Sequence, residues 1–266
     1  MYKLIAIDLD DTLLTDNKEI TPATREALAE AAARGVTVTI ATGRMYASAV
    51  KIARGLGLNV PIITYQGALI KNMGDGRVLY SRTLPPGAAR RIYEYCRERS
   101  LHLQAYADDT LYVQEDNARV RAYAELSDVP YTVEPDFDAL LSRPQTKLLI
   151  IDEPDKLDAA AAELGADIGG ETYITKSKPH FLEFTHPEAT KGHALRFLAS
   201  HTGCAMEQTI AIGDSWNDRD MVQEAGLGVA MGNAVEALKR VADYVTLSNN
   251  EDGVKHVIER FIFQKI

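Results

Sequence analysis

The stretch that decides the fold spans residues 3–12 and reads KLIAIDLDDT. Its first half, residues 3–7, is short and almost entirely apolar, which is typical of a strand buried on both faces of a parallel sheet. Three carboxylates follow within four residues, Asp8, Asp10 and Asp11. The segment therefore predicts a buried strand with a cluster of acidic side chains at its carboxyl end.

Strands and helices alternate on both sides of the middle of the chain. Thr21 and Pro22 are typical of a helix start, and the next apolar run, residues 36–41, predicts a second strand. After Lys191 the same alternation returns, with a buried strand predicted at 209–212. This rhythm predicts an α/β fold with a doubly wound parallel sheet.

The middle of the chain follows a different pattern. Pro85-Pro86 interrupts it, and two candidate strands meet at Asp108-Asp109, a pair typical of a tight hairpin turn. Hairpins mixed with helices favour an α+β domain inserted into the α/β core. The predicted division is residues 1–83 for the first part of the core, 84–186 for the insert and 187–266 for the second part of the core.

Composition excludes several classes of function. The formal net charge is -9, which disfavours a nucleic-acid or anionic-membrane partner. Cys96 and Cys204 lie far apart without a CxxC spacing, as expected in a reducing cytosol. No signal-peptide pattern and no membrane-length apolar run is present. We therefore expect a cytoplasmic protein with no nucleic-acid or membrane partner.

Two acidic motifs follow predicted strands, where ligands bind in open parallel sheets. The first begins at Asp8, and it is either a polar turn or a nucleophile and an acid/base carboxylate beside Mg²⁺. The second is the segment GDSWND, residues 213–218, in which two aspartates around a tight turn suit an oxygen-binding metal. The alternative for this segment is an N-cap, Asn217 or Asp218, of the next helix.

Two further motifs carry groups that suit an anionic ligand. Thr42-Gly43-Arg44 follows the second strand, and its hydroxyl and backbone N–H groups would suit a phosphoryl oxygen. The alternative is a helix cap with a solvent-facing arginine. Lys191 opens a helix where the core resumes, although a lone lysine is ordinarily a solvated surface residue.

Taken together and in this order, the four motifs resemble those of the haloacid dehalogenase-like superfamily, specifically its Cof-type, subclass IIB sugar-phosphatase branch. The resemblance extends to the closing segment AGLGVAMGNA, residues 225–234, and to the length of the insert. It implies a core sheet of strand order 54123 and an insert that forms a cap of αββ(αβαβ)αββ form.

The resemblance also implies the catalytic roles. Asp8 would attack phosphorus and become an aspartyl-phosphate, and Asp10 would protonate the leaving oxygen and then activate water. Mg²⁺ would be held by the Asp8 carboxylate, the Asp10 backbone carbonyl and the Asp214 carboxylate, with Asp218 supporting it from outside. Since Asp10 must be protonated in the first step, we expect its neighbours to raise its pKa.

Phosphate binding is assigned in the same way. The phosphate would be bound by the segment after the second strand, Thr42, Gly43 and Arg44. Lys191 would hold a phosphoryl oxygen, and Asn217 would orient the phosphate or Lys191. Two residues depart from the family pattern. Asp11 stands where glycine is common, and Gln66 in Gln66-Gly67-Ala68 stands where asparagine is usual.

The predicted function is hydrolysis of a small phosphorylated metabolite, a sugar phosphate or a phosphorylated cofactor. A phosphomutase would form the same intermediate but return the phosphate to its substrate. A non-catalytic ligand-binding relative would usually have lost a carboxylate of the first motif, and Asp8 and Asp10 are both present. The pattern identifies neither the substrate, nor the oligomeric state, nor a role for Trp216, and it leaves Lys176, Lys178 and His180 as either substrate-facing or solvated cap residues.

Overall fold

A computed structural model describes residues 1–58 and 60–265 of the chain. Asn59 and Ile266, which the predicted core includes, lie outside the described residues. The strands, in chain order, are β1 (Leu4–Ile7), β2 (Thr37–Ile40), β3 (Pro61–Thr64), β4 (Leu69–Asn72), β5 (Val78–Ser81), β6 (His102–Ala107), β7 (Thr110–Val113), β8 (Tyr131–Val133), β9 (Lys147–Ile151), β10 (Tyr173–Lys178), β11 (Phe181–Thr185), β12 (Thr209–Gly213), β13 (Leu227–Ala230) and β14 (Tyr244–Val245). The α-helices are α1 (Pro22–Ala33), α2 (Tyr46–Gly55), α3 (Pro86–Arg99), α4 (Ala118–Ser127), α5 (Phe137–Leu141), α6 (Pro154–Ile168), α7 (Lys191–His201), α8 (Arg219–Glu224), α9 (Glu236–Lys239) and α10 (Gly253–Phe261).

A parallel sheet forms the core, with strand order β14-β13-β12-β1-β2. A parallel bridge between Ala41 and Ile63 adds β3 beyond β2. The five strands β13, β12, β1, β2 and β3 therefore follow the order 54123, with β1 in the centre, as the resemblance implied. The predicted α/β fold is confirmed.

Burial explains why the central strand is so apolar. All four residues of β1 are at most 1% exposed, because helices cover both faces of the sheet. β1 pairs in parallel with β2 on one side and with β12 on the other. The carboxyl ends of these three strands lie side by side, so the segments that follow them meet at one edge of the sheet.

The inserted segment forms a second, mostly antiparallel sheet of order β10-β11-β9-β6-β7-β8. Its chain order, α3-β6-β7-α4-β8-α5-β9-α6-β10-β11, has the αββ(αβαβ)αββ form that the resemblance implied. Asp108 and Asp109 both have positive φ, 51° and 58°, and connect β6 and β7 in the tight hairpin predicted for them. We call this unit the cap.

Some elements were not predicted from sequence. β4 and β5 extend β3 into a three-stranded antiparallel sheet beside the core, and β8 and α5 complete the cap. These four elements are short, and β5 and β8 lack a clean apolar alternation, so local pattern carries little signal for them. The divisions at 83/84 and 186/187 remain predictions.

Within the described ranges, no helix has both the length and the apolar composition that crossing a membrane requires.

Candidate active site

Asp8 lies at the carboxyl end of the central strand, and its side chain is nearly buried. Its backbone N–H donates to the Ile212 carbonyl at 3.0 Å, which continues the pairing of β1 with β12. The chain then makes one wide helical turn over Leu9–Leu13, with Asp11 in the left-handed region at φ 61°. Asp8 is 5% exposed. A carboxylate held there has lost most of its water and needs another partner.

Lys191 is that partner, and it is fully buried. Its Nζ donates to Oδ1 of Asp8 at 2.5 Å and to Oδ1 of Asp218 at 2.6 Å. Burial alone would lower the pKa of Lys191, but Asp218 and Asp8 outweigh it and raise that pKa above its ordinary value. The two carboxylates therefore favour the charged form of Lys191, and this lysine joins the first acidic motif to the one that follows β12.

The first turn of α7 places Lys191 because two local features allow it. Thr190 caps the helix, its hydroxyl oxygen accepting the N–H of His193 at 3.2 Å. Gly67 has φ 103°, and a Cβ there would lie 2.2 Å from the Thr190 carbonyl oxygen. Only glycine at this position allows the loop after β3 to approach the start of α7 so closely.

The residues of the loop after β12 are organised around Asp218. Oδ2 of Asp218 accepts the backbone N–H groups of Asp214 at 2.9 Å and Ser215 at 3.0 Å. Its other oxygen binds Lys191, so both oxygens have partners. The Asp214 carboxylate accepts the Thr12 hydroxyl at 2.7 Å through Oδ1. The loop after β12 therefore carries one aspartate with both oxygens hydrogen-bonded and a second, Asp214, whose Oδ2 has no hydrogen-bond partner among the described residues.

The carboxylates of Asp8, Asp214 and Asp218 suit a hard divalent cation. One oxygen from each lies within 4.8 Å of the others. Burial raises the pKa of Asp8 well above its ordinary value, and the charges of Asp218, Asp214 and Asp10 add to it against the opposing Lys191. Burial and the Asp218 charge likewise raise the pKa of Asp214 to about 7. Such crowding of like charges is what a bound metal ion relieves, and the all-oxygen donor set fits Mg²⁺.

Asp10 is arranged differently from our expectation. Arg44 holds it with two parallel hydrogen bonds, Nε to Oδ2 and Nη2 to Oδ1, both 2.7 Å. Burial raises the pKa of Asp10, but these bonds and the charges of Arg44, Lys18 and Lys178 outweigh burial and lower that pKa below its ordinary value. The expected upward shift is therefore wrong for this arrangement, because the expectation came from the acid role of Asp10 and did not foresee that Arg44 binds the Asp10 carboxylate directly.

The Thr42-Gly43-Arg44 segment lies at the same edge of the sheet. Thr42 is 1% exposed, and its hydroxyl oxygen accepts the Arg44 N–H at 3.1 Å. Helix α2 has Met45 as its N-cap residue, and the Arg44 side chain is only 15% exposed. The alternative of a helix cap with a solvent-facing arginine is therefore wrong. Gly43 leaves room for the Gln66 side chain, since a Cβ at this position would lie 2.3 Å from Nε2 of Gln66 and would displace it.

Asn217 completes the set of predicted residues. It is 5% exposed, and its Nδ2 donates to Oε1 of Gln66 at 3.0 Å. A cleft of about 70 Å³ is lined by Asp8, Asp10, Thr42, Gly43, Arg44, Asp214 and Asn217. Lys191 and Asp218 lie directly behind it, hydrogen-bonded to the lining residues.

The cap forms the other wall of the cleft, with residues that sequence reasoning mostly missed. They are Tyr123, Leu126, Ser127, Lys147, Ser177, Lys178, Phe181 and Glu183. Lys178 is among them and pairs with Asp11 at 3.0 Å. Lys176 instead pairs with Asp158, and Trp216 borders a separate surface depression. The available signal for Lys147 and Glu183 was a single charge within each of two apolar strands, KLLII and FLEFT.

Comparison with known proteins identifies the class. The family model of the haloacid dehalogenase-like hydrolases matches residues 5–258. The chain therefore belongs to this family.

Its relatives narrow the class further. A Thermotoga maritima protein of solved structure, TM0651, is 39% identical, with a TM-score of 0.84 and 98% of both chains covered. The 5-amino-6-(5-phospho-D-ribitylamino)uracil phosphatase YitU of Bacillus subtilis is 30% identical over 97% of both chains. The subclass IIB sugar phosphatase BT4131 is 26% identical, with a TM-score of 0.86 and coverage of 97% and 98%. The chain is a phosphatase of the Cof-type, subclass IIB branch.

Proposed function

We propose that this chain is a Mg²⁺-dependent phosphomonoesterase that hydrolyses a small phosphorylated metabolite through an aspartyl-phosphate on Asp8. The observation that carries the proposal is the buried Asp8 carboxylate. It is bound to Lys191, and one of its oxygens lies within 4.8 Å of an Asp214 oxygen, close enough for one metal ion to contact both. A nucleophilic carboxyl group beside the Lys191 cation, next to oxygens that could hold a metal ion, is suited to an anionic phosphoryl group, because the positive charges offset the repulsion.

In the first step an oxygen of Asp8 attacks phosphorus, and the bond between phosphorus and the leaving oxygen breaks. Lys191 offsets the charge of the phosphoryl oxygens, and Thr42 contributes a hydroxyl and the adjacent backbone. Asp8, Asp214 and the Asp10 carbonyl would hold Mg²⁺, with Asp218 behind them. When bound, the ion supplies two positive charges that offset the repulsion between nucleophile and phosphate.

Asp10 acts on the proton in both steps. It gives a proton to the leaving oxygen in the first step, and it takes one from the water that hydrolyses the aspartyl-phosphate in the second. Arg44 holds Asp10 as a carboxylate, which is the form needed to activate water. To act as an acid, Asp10 must first gain a proton and loosen its contacts with Arg44, so Arg44 governs when Asp10 is available.

The substrate class we propose is a sugar phosphate or a phosphorylated cofactor. The cleft of about 70 Å³, with its cap wall of aromatic and polar side chains, is suited to a small polar leaving group. The relatives named for a sugar phosphate and for a phosphorylated ribitylaminouracil support the same class. Buried free thiols at Cys96 and Cys204 support the reducing cytosol as its location.

The test is Asp8→Asn, assayed by phosphate release from p-nitrophenyl phosphate with Mg²⁺. The amide has nearly the same shape but cannot attack phosphorus, so turnover should fall below about a thousandth of wild type. Asp75→Asn is the matched control, since Asp75 lies in the exposed turn between β4 and β5. A variant at Asp8 that keeps a tenth of wild-type turnover would refute the covalent route.

A further inference from the structure

Gln66, where the family commonly has asparagine, lies at the junction of core and cap. It follows β3, is fully buried and has φ 61°, in the left-handed region. Its side chain packs closely against Gly43. If that glycine carried a Cβ, the added atom would lie only 2.3 Å from Nε2 of Gln66. A side chain so tightly enclosed has a defined direction and specific partners.

Those partners form a buried hydrogen-bonded chain that crosses from cap to core. Lys147 donates to Oε2 of Glu183 at 3.1 Å and also to the Gly43 carbonyl at 2.9 Å. Nε2 of Gln66 donates to the same Glu183 oxygen at 3.0 Å. Oε1 of Gln66 then accepts from Nδ2 of Asn217 at 3.0 Å. Glu183 and Lys147 belong to the cap sheet, whereas Gln66 and Asn217 belong to the core.

The direction of this chain is set from the cap. Lys147 and Glu183 form a buried ion pair at 3.1 Å in which Glu183 is the acceptor, and against the opposing effect of burial this contact raises the pKa of Lys147. A carboxylate only accepts hydrogen bonds, so Gln66 must turn its NH₂ group towards Glu183. The Gln66 carbonyl consequently faces Asn217, which must turn its own NH₂ group towards it. Oδ1 of Asn217 is left buried with no partner among residues 1–58 and 60–265.

We propose that Gln66 is a positioning residue that fixes the amide of Asn217 according to the charge of Glu183 in the cap. The cap thereby sets whether the Asn217 amide turns its donor or its acceptor towards Gln66, and so fixes the orientation of a residue that lines the cleft. This inference rests on the proposed function, because it concerns the same cleft. It makes the contact between cap and core a condition for a correctly assembled site.

A double-mutant cycle with Asn217 tests whether Gln66 acts through that residue. Gln66→Leu keeps most of the volume and removes both hydrogen bonds, and kcat/KM for p-nitrophenyl phosphate should fall about tenfold. In an Asn217→Ala background the same change should alter kcat/KM less than about twofold. Thermal stability should fall by a similar amount in both backgrounds. An equal loss of kcat/KM in both backgrounds would overturn the proposal, because a merely structural effect would not depend on Asn217.

An exchange of the two side chains tests the polarity and keeps the total charge. Gln66→Glu alone puts two carboxylates face to face, and it should lose at least about tenfold in kcat/KM. Adding Glu183→Gln lets the new amide donate to the new carboxylate, which still accepts from Asn217, while Lys147 keeps the Gly43 carbonyl as its acceptor. Because Lys147 loses the Glu183 oxygen that it shared with residue 66, the double variant should recover only in part, to at least about threefold above Gln66→Glu. A double variant no better than Gln66→Glu would overturn the proposal, even if Gln66→Leu fails to fold.

The two proposals fail separately. If the covalent route is wrong, Asp8→Asn keeps its turnover. If only the positioning role is wrong, Asp8→Asn is still inactive and the contrary result appears in the variants at Gln66.

Discussion

The charges of four residues explain why this site suits a divalent cation. Asp8, Asp214 and Asp218 contribute three negative charges when ionised, and the buried Lys191 contributes one positive charge. The difference is two negative charges in a volume with little water, which is the charge that one Mg²⁺ ion balances. Without the ion, protons are the alternative, and the raised pKa values of Asp8 and Asp214 reflect that competition.

At the residue scale, the acid/base role of Asp10 is testable through the leaving group. Asp10→Asn should slow hydrolysis of an alkyl ester such as glucose 6-phosphate by at least about a hundredfold, because a poor leaving group needs the proton. The loss on p-nitrophenyl phosphate should be about tenfold, since p-nitrophenolate leaves without protonation. Initial rates with both esters at saturating Mg²⁺ give the comparison.

The neighbouring carboxylate provides the control. Asp11→Asn changes a partly exposed aspartate that pairs with Lys178 and Lys18. It should change both rates by the same factor. Equal losses on the two esters for Asp10→Asn would contradict the acid role.

At the element scale, the cap contains a buried histidine that the cleft does not use. His102 opens β6 and is 8% exposed, with Asn117 and Gln104 amide groups near its two ring nitrogens at 3.1 and 3.3 Å. Burial, followed by the nearby Arg119, lowers the pKa of His102 to about 4, against opposition from Glu115 and Asp152. Strand β6 therefore carries a neutral imidazole that becomes costly to bury once it is protonated.

This predicts acid sensitivity of the cap. A histidine whose folded pKa is lowered contributes stability above its unfolded pKa of about 6.5, and loses it as pH falls towards 4. Between pH 7.5 and pH 5 the loss due to His102 should be about 2 kcal/mol. The measurement is urea unfolding of wild type and His102→Gln at both pH values, in EDTA. The difference between the two proteins gives the part of the pH-dependent stability loss that is due to His102. His201→Gln, at an exposed position on α7, is the control and should leave the pH dependence unchanged. If His102→Gln leaves it unchanged too, the histidine does not titrate as described.

At the scale of the whole molecule, the acidic cleft is assembled from both ends of the chain. Asp8 comes from the first strand, whereas Asp214 and Asp218 come from a loop more than 200 residues later, and the whole chain carries a net charge of -9. The metal-binding arrangement therefore exists only in the folded state. An ion that binds this arrangement couples its binding energy to folding.

Mg²⁺ should accordingly raise the melting temperature, and Asp214 should mediate the gain. At a hundredfold excess over its dissociation constant the ion adds about 2.7 kcal/mol. Asp214→Asn removes one charge and one ligand, so it should melt at or above the wild-type temperature in EDTA and gain little from Mg²⁺. Thermal unfolding with EDTA, with MgCl₂ and with NaCl of equal ionic strength provides the measurement.

The same experiment has an internal control and a clear contrary result. Asp75→Asn removes an equal charge at an exposed turn, and it should respond to Mg²⁺ as wild type does. A full Mg²⁺ response in Asp214→Asn would mean that Asp214 is not a ligand.

Much of this fold could be predicted from sequence, because the patterns that indicate strands and helices lie within short stretches of the chain. The apolar run before Asp8 and the alternation of strands and helices indicate a parallel sheet, and the resemblance implied its strand order. Since the carboxyl ends of parallel strands meet at one edge, the proximity of Asp8, Thr42 and Asp214 follows from their places after strands. Lys191 belongs with them because it opens the helix that resumes the core.

Other features depended on tertiary structure, because they join residues that no local rule relates. Arg44, which follows β2, binds Asp10, which follows the neighbouring β1, and reverses the expected direction of the Asp10 pKa shift. Lys147 and Glu183 are single charges in apolar strands, and only the packing of cap on core buries them next to Gln66. Burial removes water from these groups, so each must find its partner inside the protein. Which partner lies within reach is decided by the three-dimensional packing of the two sheets.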